Sequence, residues 1–227
     1  MLSPEEWSAV GLSLRVSAWA VVLGLPPAVA VAYALARGSL RTRWALDTFV
    51  NLPLVLPPVV TGYLLLVLLG RHGPLGAFVY NTFGLRIAFT WQAAAIAAGV
   101  VGFPLMVRAI RLAFQTVDPR LEAAARSLGA SPINAFFTVT LPLSTRGIVA
   151  GAVLGFARGL GEFGATIVVA GNIPGITQTL PLAIYSRIQH PGGIAGSWRL
   201  VALSVALACL ALAAGEWLEH RERRRHA

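Results

Sequence analysis

Residues 118–142 read DPRLEAAARSLGASPINAFFTVTLP, and long apolar runs flank this stretch on both sides. Asp118–Pro119 is typical of a helix start, because Asp is a favourable N-cap and Pro suits the first helical position. The Ala-rich run 121–128 favours a helix, and Gly129 suits the position just after its end. Ser131–Pro132 repeats the start signal, so the stretch predicts two short helices joined by a turn. Such an element is suited to docking into a groove on a partner, and an ordinary amphipathic connector is the alternative.

The rest of the chain is mainly apolar. Of its 227 residues, 56% are hydrophobic and 12% are charged, whereas soluble proteins carry about 25% charge. An apolar run of about 20 residues can cross a bilayer as a helix. We therefore predict an all-α membrane protein, a single domain over residues 1–227, with five spans at about 10–36, 46–70, 88–110, 143–170 and 197–218.

The eighteen basic residues are all Arg, and the lack of Lys argues against two kinds of chemistry. A Walker phosphate loop and a Schiff-base enzyme both need Lys. The single Cys209 cannot form an internal disulfide or a zinc cluster, and the four His residues show no ligand spacing. The Arg residues sit in short gaps between apolar runs, which argues against nucleic-acid binding despite the net charge of +9. We expect no catalytic, cofactor-binding or metal-binding residue in this chain.

The Arg residues also predict the orientation. Twelve fall in the gaps on one side of the five spans and four on the other, with Arg15 near the edge of the poorer side. The positive-inside rule places the richer side in the cytoplasm. The N-terminus is then outside, while the C-terminus and the loop at about 115–142 are cytoplasmic. No basic residue precedes Arg15, so we expect the first span to be retained rather than cleaved as a signal peptide.

Prolines interrupt the second predicted span, which reads NLPLVLPPVVTGYLLL at 51–66. Pro57 and Pro58 each lack a backbone donor, and a membrane tolerates such a break where protein or a watery cavity satisfies the freed carbonyls. Broken helices often mark a transport path. The two prolines therefore indicate either a pathway-lining position or a packing kink, and the sequence leaves both open.

The fourth predicted span carries a glycine at every fourth position, namely Gly147, Gly151, Gly155 and Gly159. At 100° per residue this spacing drifts 40° per step, so the glycines occupy about 120° of one helix face. Arg158, Glu162 and Thr166 fall on the same arc by the same arithmetic. Because charges at membrane depth avoid lipid, the face is either a close-packed protein interface or a pore wall. Arg158 and Glu162, four residues apart, either pair with each other or leave Arg158 to contact an ion.

The spacing of small residues after Glu122 resembles the EAA loop of ABC-importer permeases. That pattern reads Glu-Ala-Ala, three residues, Gly, nine residues, then Ile-x-Leu-Pro. The matching positions here are Ala123, Ala124, Ala125, Gly129, Val139, Leu141 and Pro142. Ala123 stands in the position of the usual Glu, and the acid lies one residue earlier. The resemblance implies that Glu122, Ala123, Ala124 and Gly129 shape a coupling helix, and that Leu141 and Pro142 set the chain's return into the membrane.

Five blocks along nearly the whole chain resemble the molybdate permeases of the oxyanion importer family. They read NLPLVLPPVVTGYLLLV, FPLMVRAIRLAF, FFTVTLPLS, GFARGLGEFGATI and NIPGITQTLPLAIY. Sulfate/thiosulfate and tungstate permeases share parts of this pattern, notably the stretch 161–164. Together the blocks favour molybdate, with the sister oxyanions as alternatives.

The resemblance implies a type I importer permease in the bacterial inner membrane. Such a permease works as a homodimer with two cytoplasmic ATPase subunits, which bind ATP and Mg²⁺, and with an external protein that delivers the oxyanion. This chain ends nine residues after Leu218, so we expect no regulatory domain. We assign the translocation pathway or its gate to Pro57, Pro58, Gly155, Arg158, Gly159, Glu162 and Thr166.

Other functional classes fit the sequence less well. A proton-coupled secondary carrier that uses Glu162 is the main alternative, but its two halves should show an inverted repeat, and none is visible. An intramembrane enzyme with a Ser-Lys dyad needs Lys, and the HExxH metalloprotease motif does not occur. The sequence therefore favours a permease subunit that is not itself an enzyme.

Overall fold

The structure is a computed structural model that describes residues 3–38, 40–191 and 193–225. Within these ranges the regular secondary structure is helical throughout, as predicted. A π-helical segment, Phe136–Thr140, lies between the seventh and eighth α-helices. The α-helices are α1 Pro4–Arg37, α2 Leu40–Val55, α3 Pro58–Leu69, α4 Pro74–Phe83, α5 Trp91–Thr116, α6 Pro119–Ser127, α7 Pro132–Ala135, α8 Leu141–Leu143, α9 Thr145–Leu160, α10 Gly164–Val169, α11 Leu180–Ile188 and α12 Gly193–Arg225.

Three helical segments in the described ranges are long and apolar enough to cross a membrane: α1, α5 and Gly196–Trp217 of α12. They coincide with the first, third and fifth predicted spans. Two bent pairs raise the number to five when each is taken as one span. The first pair joins α2 to α3 at 109°, and the second joins Pro132–Leu143 to α9 at 71°. The all-helical membrane fold is confirmed, whereas the outside position of the N-terminus stays a prediction.

Helix α5 is the central helix, with α1 and α9 packed against it. Helices α1 and α5 run in the same direction, because Ala20 lies opposite Gly99 while Arg37 at the end of α1 donates to the Val117 carbonyl just past the end of α5. Helix α2 runs back along them. We call the end of the bundle at which α1 and α5 finish the loop end, because α6 and α7 follow there.

The second predicted span is broken where the prolines predict it. Helix α2 ends at Val55, and α3 begins at Pro58 after an extended Pro57 with φ −52° and ψ 133°. A residue before proline avoids the helical region, and neither proline can donate a backbone hydrogen bond. Helix α3 begins where the Val60 N–H donates to the Pro57 carbonyl at 2.8 Å. These two residues therefore account for the large bend.

The fourth predicted span, 143–170, is wrong as a continuous helix. Helix α9 ends at Leu160, and residues 161–163 separate it from the six-residue α10. The carboxylate of Glu162 accepts from the Ala165 backbone N–H at 2.8 Å and so caps α10. Because the helix ends at Leu160, a rotation of 100° per residue does not describe the positions that follow. Glu162 and Thr166 therefore do not lie on the helix face that carries the glycines.

Candidate functional site

The stretch 118–142 forms the predicted pair of short helices. The Asp118 side chain accepts from the Arg120 backbone N–H at 2.9 Å and caps α6. Gly129 follows the helix with φ +94°, a left-handed conformation that a side chain would strain. Ser131 then caps α7 by accepting from the Asn134 backbone N–H at 3.2 Å. We call residues 118–142 the loop element.

Much of the loop element is exposed. No residue of α6 is buried, and Ala123, Ala124 and Gly129 all lie at the surface. Leu128 is 88% exposed and Ile133 is 71% exposed, so the turn presents large apolar side chains outward. An exposed apolar surface on a short rigid element is typical of a contact site for another chain.

Glu122 faces the other way and joins the loop element to the rest of the chain. Its carboxylate accepts from the Tyr33 hydroxyl at 3.4 Å and from the Thr140 hydroxyl, and lies 3.7 Å from the Arg37 guanidinium. Arg37 also donates to the Val117 carbonyl at 3.1 Å. The acid thus connects α6 to α1 and to the π-helical segment. It lies on the bundle side of α6, while its neighbours Ala123 and Ala124 are exposed.

Leu141 and Pro142 lie at the bend that leads into α9. The π-helical segment ends when the Leu141 N–H donates to the Phe136 carbonyl, and the next residue, Pro142, has no N–H to continue the ladder. Ser144 then precedes α9, at the 71° bend. The structure therefore places both predicted residues where the chain turns.

The breaks in the second and fourth spans lie against each other. We call this region the break junction: residues 57–62, which cover the first break and the start of α3, and residues 158–166, which cover the end of α9, the second break and the start of α10. A methyl group at Gly164 would lie 2.8 Å from the Pro58 Cβ. A methyl group at Gly62 would lie 2.6 Å from the Ala165 carbonyl oxygen, so α3 and α10 are in backbone contact.

Glu162 is the buried charge of the break junction. Its side chain is 2% exposed, and Arg158 Nη1 lies 2.8 Å from its Oε2. Of the two alternatives that the sequence leaves open, the structure shows the pair, and contact of Arg158 with an ion stays a prediction. Its other oxygen, Oε1, is bonded to Ala165 N–H. Arg158 remains partly exposed, so it is the member of the pair that solvent or an ion can reach.

Two threonine hydroxyls of the break junction are buried without an assigned donor or acceptor. Thr61 on α3 and Thr166 on α10 have no hydrogen-bond partner among the described residues. A buried hydroxyl without a partner is costly, so such groups often serve a ligand or an ordered water. A hydroxyl can donate a hydrogen bond to an oxygen of an anion, so these two threonines are chemically suited to contacting one.

The glycine face of α9 packs inside the chain. A methyl group at Gly151 would lie 2.9 Å from Ile110 on α5, and one at Gly155 would lie 2.7 Å from Met106. At Gly159 the nearest atom is the Ser17 hydroxyl of α1, at 3.2 Å. Of the two alternatives, interface or pore wall, the structure shows a close-packed interface at these positions. A pathway role for Gly155 and Gly159 stays a prediction.

Some side-chain contacts have no local signal in the sequence. Arg111 pairs with Asp47 at 2.9 Å, and Arg187 pairs with Glu6 at 2.5 Å. The Ser13 hydroxyl accepts from the Leu180 N–H at 2.7 Å. Of these residues, Asp47 alone has a signal in the sequence, because it is an acid at the edge of an apolar run. In the part of the chain that the structure describes, no group of three His, Cys, Asp or Glu residues has a geometry suited to a metal ion.

The comparisons with known proteins agree with this architecture. The family model described as "Binding-protein-dependent transport system inner membrane component" matches residues 21–224. The chain is 53% identical to the molybdenum transport system permease protein ModB of Escherichia coli K12 over 99% of this chain and 98% of that protein. It is 50% identical to ModB of Haemophilus influenzae, over 95% of this chain and 94% of the relative.

A solved structure shares the fold at low sequence identity. It is a bacterial alginate ABC transporter in complex with an alginate pentasaccharide-bound periplasmic protein. The match has a TM-score of 0.70 and 18% identity, and it covers 98% of this chain and 80% of the other. At this identity the likeness shows the helical arrangement alone.

Proposed function

The chain belongs to the family of binding-protein-dependent transport system inner membrane components, and on that premise we propose that it carries molybdate across the bacterial inner membrane as the permease subunit of an ATP-driven importer. The substrate proposal rests on relatives of 53% and 50% identity over nearly their full length, both molybdenum permeases. Sulfate, thiosulfate and tungstate are the alternative oxyanions.

The loop element is the observation that carries the proposal. It is a rigid helix-turn-helix at one end of the bundle, it presents Leu128 and Ile133 outward, and Glu122 ties it to α1. A separate ATPase that binds this surface can move α1 and α9 by moving the loop element. We infer that the loop element docks into a cleft of the ATPase and that the loop end faces the cytoplasm.

The proposed assembly contains two copies of this chain, two ATPase subunits and an external binding protein. A periplasmic protein is part of the alginate transporter complex whose permease fold resembles this chain. ATP and Mg²⁺ bind to the ATPase subunits, since this chain has no Lys for a Walker loop. This chain therefore contributes the membrane path and no cofactor site of its own.

We infer that the break junction is part of the translocation pathway or its gate. Two helix breaks, two hydroxyls without partners and a partly exposed Arg158 lie in one region of α3, α9 and α10. Both carboxylate oxygens of Glu162 have partners, the Arg158 guanidinium and the Ala165 N–H, which favours a structural role over that of a proton carrier.

Uptake of labelled molybdate tests the proposal. A strain that lacks its own molybdate permease should regain uptake when it carries this chain, and unlabelled tungstate should compete better than sulfate. In proteoliposomes, uptake should require the ATPase subunits and ATP. Uptake by the permease alone would contradict the ATP-driven mechanism, and sulfate competition equal to that of molybdate would contradict the substrate.

A further inference from the structure

Two cavities lie end to end along the contact between α2 and α5, and Val50 lines both of them. The first has a volume of about 390 Å³ and is an open groove lined by α1, α2 and α5. Its walls are hydrocarbon, with Leu23, Phe49 and Phe103 among them. Its volume is in the range of ordinary small-molecule sites, and it offers an occupant almost no hydrogen bonds.

The second cavity lies nearer the loop end, has a volume of about 370 Å³ and is polar. Arg111 in its wall pairs with Asp47 at 2.9 Å, and the Asn51 amide donates to the same Asp47 oxygen at 3.3 Å. Arg108 also lines the cavity, but it is exposed and makes no hydrogen bond or ion pair with the residues that the structure describes. The cavity therefore carries two positive charges against one negative charge.

The two cavities match the layers of a bilayer leaflet. The apolar cavity extends along α5 from Ala95 to Phe103, about 12 Å at 1.5 Å per residue. One leaflet of hydrocarbon is about 15 Å thick. Arg108 and Arg111 lie a further 8 to 12 Å, roughly, along the same helix toward the loop end. When the apolar cavity is at the depth of acyl chains, the guanidinium groups are therefore at the depth of headgroups.

We propose that this groove binds one phospholipid with an anionic headgroup. The phosphate is bound by Arg111 and by Arg108, which has no other partner among the described residues. An acyl chain fills the space between α1, α2 and α5. Guanidinium groups recognise phosphate through charge-assisted hydrogen bonds, and basic pockets between membrane helices hold anionic headgroups. The acyl chain then occupies the apolar cavity and packs between α2 and α5, next to the interruption between α2 and α3 at Pro57.

Lipid retention by the purified full chain tests this proposal. The chain is reconstituted with equal amounts of phosphatidylglycerol and phosphatidylcholine, and retained lipid is measured by native mass spectrometry. The wild-type chain should retain phosphatidylglycerol preferentially. Arg108→Gln should reduce that retention at least fivefold, whereas Arg108→Lys should keep most of it. The matched control is Arg120→Gln, which removes another exposed Arg at the loop end and should change nothing.

A second variant separates the acyl chain from the headgroup. Val100 lines the apolar cavity, so Val100→Trp should fill it and reduce the retention of both lipids. Equal phosphatidylglycerol retention in wild type and Arg108→Gln would overturn the proposal. Displacement of the lipid by millimolar molybdate or inorganic phosphate would identify a site for free oxyanions instead. A disulfide between two copies of Phe49→Cys, in a Cys209→Ala background, would show that a second copy covers the groove.

Discussion

The loop element and the break junction are held together by opposite means. In the loop element, side chains set the geometry: Asp118 and Ser131 cap the helices, and Glu122 ties them to α1. In the break junction, the lack of side chains sets it, because Gly62 and Gly164 let α3 and α10 meet at backbone distance. The loop element is mostly exposed and contacts α1 through Glu122 and Phe136, whereas in the break junction α3 and α10 pack backbone to backbone. Gly62→Val should therefore act by adding atoms to a backbone contact, and Glu122→Ala by removing the atoms that hold α6 to α1.

The largest effect is expected from Gly62→Val. Its Cβ would lie 2.6 Å from the Ala165 carbonyl oxygen, so α3 and α10 must separate. Overpacking of this kind costs about 1–3 kcal/mol, and molybdate uptake should be lost. Gly11→Val is the control, because a Cβ there meets nothing within 4 Å. Thermal unfolding and uptake that are the same in both variants would contradict the backbone contact.

Gly129→Val should come next and should act on coupling rather than on membrane insertion. The φ of +94° is strained for a side chain, at a cost of about 1–2 kcal/mol. We expect normal amounts of chain in the membrane but a lower ratio of transported molybdate to hydrolysed ATP in the reconstituted complex. Asn tolerates positive φ, so Gly129→Asn should keep more of the ratio. An unchanged ratio for Gly129→Val would mean that the loop element does not transmit ATPase motion.

Glu122→Ala should weaken the attachment of the loop element to α1. It removes the acceptor for Tyr33 and Thr140 and the ion pair of Arg37, with an expected cost of about 1–3 kcal/mol. The transport-to-ATPase ratio should fall severalfold. Glu122→Gln should lose less, because its amide oxygen still accepts. Glu5→Ala, at an exposed acid, is the control, and an equal ratio in the two Ala variants would show that Glu122 transmits nothing.

Thr166→Val should have the smallest effect on stability. Its hydroxyl has no partner among the described residues, so the free energy of unfolding should change by less than about 0.5 kcal/mol while uptake falls. Thr177→Val is the contrast, since the Thr177 hydroxyl accepts from the Ile173 N–H at 3.0 Å and its loss should cost about 1–3 kcal/mol. Unchanged uptake in Thr166→Val would remove this hydroxyl from the pathway.

The loop element could be predicted from the sequence because its signals are local. Asp118, Gly129 and Ser131 act on residues within one helical turn, and Pro57–Pro58 likewise marks its own break. The break after Leu160 is harder to predict, because Gly161, which follows the last helical residue, continues a run rich in glycine and does not stand out as a stop. It depends on Glu162 capping α10 and on the fit of Gly164 against Pro58. Such contacts exist only once distant helices meet, so the periodicity of α9 does not reveal where the helix ends.

The attachment of Glu122 to Tyr33 and Arg37 gives α6 the mechanics of a lever. Leu128, which protrudes from the surface, lies six positions after Glu122, a distance of about 9 Å along the helix axis. A force applied at Leu128 therefore produces a torque about the Glu122 carboxylate. Tyr33 and Arg37, which contact this carboxylate, transmit the torque to α1 as a lateral force. In the proposed complex, the stiffness of this attachment sets how much of the ATPase movement reaches the membrane helices.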